Sequence, residues 1–63
     1  MSSNDLIMLY KEKGVYVVRH VDADYPSNTY SRSTHKTLLA AVRKAKKIQN
    51  EDFPEYGITV GRL

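Results

Sequence analysis

The alternation of apolar and polar positions divides the chain into a few clear segments. "DLIMLYKEKGVYVVRHVD", residues 5–22, holds two runs rich in Leu, Ile, Val and Tyr around the polar turn "KEKG". Such runs flanking a turn that ends in glycine predict a β-hairpin. In the second run Val15, Val17 and Val21 share one face, interrupted by Arg19, and Tyr16, Val18 and His20 share the other. In the first run Leu6, Met8 and Tyr10 alternate with Ile7 and Leu9. Neither run alternates cleanly, so both faces of the hairpin are expected to be partly covered. "ADYPSN" is a loop, because Pro, Ser and Asn favour turn geometry. "TYSRS" predicts a short third strand with Tyr30 and Arg32 on one side.

The period then changes from two to 3.6 residues and predicts a helix over Thr34 to Asn50. At 100° per residue, Leu38, Ala41, Val42, Ala45 and Ile48 form one stripe. Lys36, Arg43, Lys44 and Lys47 fall opposite, with Lys46 at the edge. Ser33 or Thr34 is the expected N-cap, since either hydroxyl can accept a bond from a free first-turn N–H. Ala41 and Ala45 would let the helix approach a sheet closely. "NEDFPEYG" closes the helix, with Phe53 expected to pack under the loop. "YGITVGRL" is a final strand with Tyr56, Ile58 and Val60 on one face and Gly57 and Gly61 on the other.

The order strand, strand, strand, helix, strand predicts a small two-layer α+β domain spanning residues 1–63. A three- or four-stranded, mostly antiparallel sheet carries one helix on one face. A helix between strands returns the chain to the same sheet by a right-handed crossover, so the final strand is expected beside the first. One helix covers one face only; the other meets water, a second subunit or a partner. The 63 residues allow only a small core and little room for an enclosed active site. Without cysteine there are no disulfides and no thiolate metal sites. The polar start "MSSNDL" is unlike a signal peptide, and the run "LIMLY" is too short to span a bilayer. The expectation is a soluble, cytoplasmic chain without membrane contact.

Net charge is +3, but its distribution says more. Residues 25–50 contain no acid, and they hold Arg32, Lys36, Arg43, Lys44, Lys46 and Lys47. A helix start usually attracts Asp or Glu, because its free N–H groups carry partial positive charge. Here "SRSTHKT" offers the reverse. Arg32, Ser33, Thr34, His35 and Lys36 form a candidate anion site, continued along the helix by Arg43, Lys44 and Lys47. DNA or RNA phosphates suit such a surface, since they ask for charge and donors rather than a shaped pocket. The plainer reading is a hydroxyl cap beside a solvated lysine face.

Tyr10, Tyr16 and Tyr30 are candidate interface residues on the open sheet face. There, aromatic rings stack unpaired bases or anchor a protein partner, although strands favour tyrosine in any case. "HVDAD" places His20, Asp22 and Asp24 at alternate positions, too few ligands for a metal site. His20 and His35 are the only histidines, and no nucleophile elbow, phosphate loop or paired-carboxylate motif accompanies them.

Residues 14–48, "GVYVVRH…NTYSRSTHKTLLAAVRKAKKI", are similar to two kinds of small module. One is the arm-binding domain of tyrosine-recombinase integrases, in which a three-stranded sheet backed by a helix enters the DNA groove. The other is a set of short bacterial proteins built from a hairpin, a helix and a final strand. The shared feature, a strand, a Ser/Thr cap and an alanine-rich helix, is generic, and "YGITVGRL" has no counterpart in the integrase domain. No family is assigned. The expected function is therefore a non-enzymatic binding module without cofactor or metal, contacting nucleic-acid phosphates through a basic helix. The alternative is a protein-interaction module, such as a small regulator or phage-type inhibitor. It would meet an acidic protein surface or use the open sheet face, a homodimer being one form of this alternative.

Overall fold

A computed structural model describes residues 4–63; the "MSS" start considered above lies outside the described residues. Strand β1 (Asp5–Glu12) turns into β2 (Val15–Asp22), followed by β3 (Thr29–His35), helix α1 (Leu38–Asp52) and β4 (Ile58–Val60). Lys13 and Gly14 both have positive φ, 52° and 83°. A two-residue turn of this hand matches the right-handed twist of the strands it joins. It fixes the register from Glu12↔Val15 to Asp5↔Asp22. The sheet order is β3-β2-β1-β4. β4 lies parallel to β1, as expected of a strand returned by a helical crossover, and the other pairs are antiparallel. The result is one helix on one face of a four-stranded mixed sheet.

The register assigns the faces. Ile7, Leu9 and Val18 point toward α1 and pack with Ala41, Ala45 and Ile48, flanked by Tyr16, Val42 and Ile58. Ala41 and Ala45 are fully buried, so the small side chains do let the helix sit close to the strands. Leu6, Met8, Tyr10, Val15, Val17, Arg19 and Val21 line the opposite face, which no helix among the described residues covers.

Several local expectations change. The third strand is longer than "TYSRS": His35 pairs with Tyr16 and Thr34 with Val17, so the neighbouring long strand draws these residues into the ladder. The helix consequently starts at Leu38 rather than Thr34, and it ends at Asp52 rather than Asn50. Its N-cap is Thr37, not Ser33 or Thr34. Thr37 is extended, and its Oγ1 accepts the Ala40 N–H at 3.2 Å. Leu38, expected in the buried stripe, is the first helical residue and is exposed. Phe53 does not pack under the loop. It adopts φ 47° as the left-handed C-cap, its N–H bonds Gln49 O, and the residue is 75% exposed. Pro54, which cannot continue the helix, is the buried residue there. Tyr56 and Val60 are exposed, and of the last strand only Ile58 reaches the core.

Candidate nucleic-acid interface

The helix carries the most coherent basic surface. Ala41, Ala45 and Ile48 fix its inner side, and at 100° per residue Arg43, Lys46 and Lys47 then project outward. All three are exposed, and Lys44 lies on the flank, half-buried. None of the four makes an ion pair among the described residues. Lys46 belongs to this ridge fully, although the periodicity places it at the edge. Leu39 sits on the same outward side, 60% exposed.

The rest of the expected anion site is taken apart by the extra length of β3. Arg32 and Thr34 pair with Arg19 and Val17 and so share the face away from the helix. Ser33 and His35 point to the helix side, where Ser33 Oγ and His35 Nε2 lie 2.9 Å apart. Lys36 stands in the short link before the cap. Arg32 approaches Glu12 at 3.6 Å. The basic segment therefore folds into two groups on opposite layers. Arg43, Lys44, Lys46 and Lys47 line the helix, and Arg32 lies with Arg19 on the open face.

The tyrosines do not share one face either. Tyr10 lies on the open face opposite Val17. Tyr16 lies on the helix side, packed at the core margin, with Lys11 Nζ 5.4 Å from its ring centroid. Tyr30 is carried to the helix side by the irregularity at His20/Val21. Its ring centroid is 5.1 Å from that of His20, and its hydroxyl donates to Asp22 at 3.3 Å. Partial desolvation, the Asp22 charge and that hydrogen bond raise the Tyr30 phenol above its ordinary pKa.

A polar cluster at the same end has only one of its members, His20, singled out in the sequence. His20 Nε2 hydrogen-bonds the Asp5 carboxylate, and Nδ1 lies 3.7 Å from Asp52 at the helix C-terminus. Asp5 also accepts the Glu55 N–H, and its carbonyl accepts the Tyr56 N–H. Burial pushes the Asp5 carboxyl up, but the hydrogen bonds from His20 and Glu55 and the His20 charge outweigh it. The net direction is downward. These contacts tie the start of β1, the end of β2 and the end of α1 together. The alternation "HVDAD" does not make a ligand set: Asp22 Oδ1 accepts the Asp24 and Tyr25 N–H groups, capping the loop. Among the described residues no group of three His, Asp or Glu side chains is placed to hold a metal ion. No helix among them is long and apolar enough to cross a membrane. The residues that pair with His20 are 15 and 32 positions away from it, so no local motif announces them.

Comparison with known proteins finds no matching family model, curated protein or solved structure.

Proposed function

We propose that this chain is a non-enzymatic module that binds nucleic acid by its phosphates, through the outward ridge of α1. One observation carries the reading: Arg43, Lys46 and Lys47 project together from a helix whose other side is fixed against the sheet. Unpaired cations on a rigid rod attract a regular anionic polymer with little ordering cost. Lys44 on the flank extends the contact. Arg32, Ser33, Thr34 and His35 are not part of this ridge. The preferred ligand is a duplex or single-strand backbone, contacted without base readout.

The test is an electrophoretic shift of short duplex DNA and RNA at two salt concentrations. Engagement of three or four phosphates gives a log–log salt slope of roughly −3 to −4 on duplex DNA. Replacing Arg43, Lys46 and Lys47 by Glu should abolish the shift while leaving the circular dichroism unchanged. Absence of a shift at low salt rejects the reading. A second reading is favoured by the open face, where Leu6, Met8, Tyr10 and Val15 stay half-buried beside Arg19 and Arg32. An acidic protein surface fits there. Capture of a partner that survives the helix substitutions and is lost with Tyr10→Ala would select it.

A further inference from the structure

The free edge of β3 has its own complementarity, independent of the nucleic-acid reading. Which backbone groups it exposes follows from the hairpin. A two-residue turn makes its closing pair, Glu12↔Val15, one that exchanges N–H···O=C bonds, and such pairs then alternate along the ladder. Val15, Val17, Arg19 and Val21 therefore direct their backbone groups to β1, and Tyr16, Val18 and His20 direct theirs to β3. The bond from the Asp22 N–H to Asn28 O continues the second series. His35, Ser33 and Ser31 answer it, as the partners of Tyr16, Val18 and His20. The N–H and C=O groups of Arg32 and Thr34 are left pointing away from the sheet, and both residues are exposed.

Exposed edges are normally blunted by proline, a bulge or charges aimed along the edge. Residues 31–35 have no proline, and the irregularity of this pair lies earlier, at His20/Val21. The single charge, Arg32, reaches inward to Glu12 on β1 and away from the edge.

We infer that this edge pairs antiparallel with the same edge of a second copy, with Ser33 on the two-fold axis. The product is one continuous sheet with both helices on the same side. Charge selects the register. Outward residues must oppose outward residues, which leaves three centred arrangements. Arg32 against Arg32 sets like charges directly opposite and, because Arg19 already opposes Arg32 within each copy, lines four guanidinium groups across the sheet, which is unfavourable. Thr34 against Thr34 sets Arg32 against Lys36 of the second copy, with the same defect. Centring on Ser33 sets Arg32 against Thr34 on the open face, and Ser33 against Ser33 and Ser31 against His35 on the helix side. Every outward N–H then meets a C=O, and no like charges are opposed. A self-complementary edge of this kind closes a two-fold dimer. Chains of this size commonly use oligomerisation to supplement a small core.

The test uses the full chain. Light scattering should give twice the chain mass of 7.2 kDa at high concentration, falling toward the monomer on dilution. Thr34→Pro removes an outward N–H and no ladder N–H, which edge strands tolerate. It should keep the far-ultraviolet circular dichroism and yield a monomer. The chain has no cysteine, so a single introduced thiol reports on the axis. Ser33 of the two copies would form a non-hydrogen-bonded pair with Cα atoms about 4.5 Å apart, inside the disulfide range. Thr34 meets Arg32 of the second copy instead. Ser33→Cys should therefore oxidise to a covalent dimer at least about tenfold faster than Thr34→Cys. A monomer at the highest soluble concentration, a folded Thr34→Pro dimer, or equal oxidation of the two cysteine variants would overturn the inference. If Thr34→Pro fails to fold, the cysteine pair decides.

Discussion

Both faces of the sheet hold fully buried residues, but by different means. On one face Ile7, Leu9 and Val18 are closed off by a helix, with Ala41, Ala45 and Ile48 seated on them. On the other face Val17 and Val21 are just as inaccessible, both at 0% exposure, although no helix or strand among the described residues lies above them. Their cover comes from within the sheet. Arg32 pairs with Arg19 and Glu12 with Val15, so the Arg32–Glu12 ion pair crosses β2 at the level of Val17. The Arg19 guanidinium bonds Pro26 O at 2.9 Å and Thr29 Oγ1 at 2.6 Å, and Thr29 is the partner of Val21. One face is thus a packed core. The other is an apolar strip roofed by long side chains with charged ends in water, the usual behaviour of arginine stems. The fractional exposure of a residue does not distinguish these two situations, but their response to substitution does.

The largest expected contrast is between neighbours on one strand. Ile7→Ala removes a fully buried side chain from beneath the helix, where rigid packing leaves a cavity, and should cost about 2–5 kcal/mol. In a domain this small that approaches the whole stability. Met8→Ala, on the open face, removes a half-buried side chain into space that water can fill, and should cost about 1 kcal/mol. Urea denaturation of both variants measures the difference. Equal costs would mean that the open face is covered in solution by something more than its own side chains, such as a second chain.

The closed face has a polar end, and it gives the next contrast. Asp5→Ala leaves His20 and the Glu55 N–H without their carboxylate and should cost about 1–3 kcal/mol at neutral pH. The Asp5 carboxyl is held below its ordinary value of about 3.9. Its contribution is therefore fully present above that value and is lost as pH falls through the lower, folded-state value. Stability measured from pH 5 downward should show an acid limb below about pH 4 that Asp5→Asn flattens. An acid limb unchanged in Asp5→Asn would place the proton uptake on another carboxylate.

How far the sequence foretold this structure depends on the range of the forces involved. The hairpin turn, the inner stripe of Ala41, Ala45 and Ile48 and the place of the last strand beside the first all follow from local pattern and chain connectivity. The start of the helix does not. "SRSTHKT" contains hydroxyls suited to a cap and equally suited to a strand, and pairing of β3 with the long β2 decides between them. That tertiary pairing moves the cap to Thr37 and separates Arg32 from the helix cations. Phe53 departs from its expected place because hydrophobicity speaks for burial, while the stop of the helix demands a left-handed residue at that position. The His20–Asp5–Asp52 contacts are non-local and invisible to spacing. Of the expected site, Arg43, Lys44 and Lys47 remain together because one helix carries them. The residues upstream of the helix do not, because they belong to a different layer.

The smallest expected effect concerns the roof itself. Both ends of the Arg32–Glu12 pair are about half exposed, with side-chain exposures of 49% and 51%. Such a pair contributes about 0–1 kcal/mol and is screened by salt. If it shelters Val17, Glu12→Gln should lower stability within that range, and the loss should shrink as salt rises. Arg32→Gln should lose more than Glu12→Gln, because its apolar stem supplies part of the cover. A double-mutant cycle over the two sites separates the terms: the coupling energy reports the ion pair, and the remainder for Arg32 reports the stem. Hydrogen exchange at the Val17 amide adds a local reading, since that N–H points into the β1–β2 ladder whichever end of the roof is removed. Faster exchange in Arg32→Gln than in Glu12→Gln would confirm that aliphatic cover, rather than charge, keeps this face dry. Identical behaviour of the two variants would leave the ion pair as the whole of the roof, and the open face would then become wetter as salt is added.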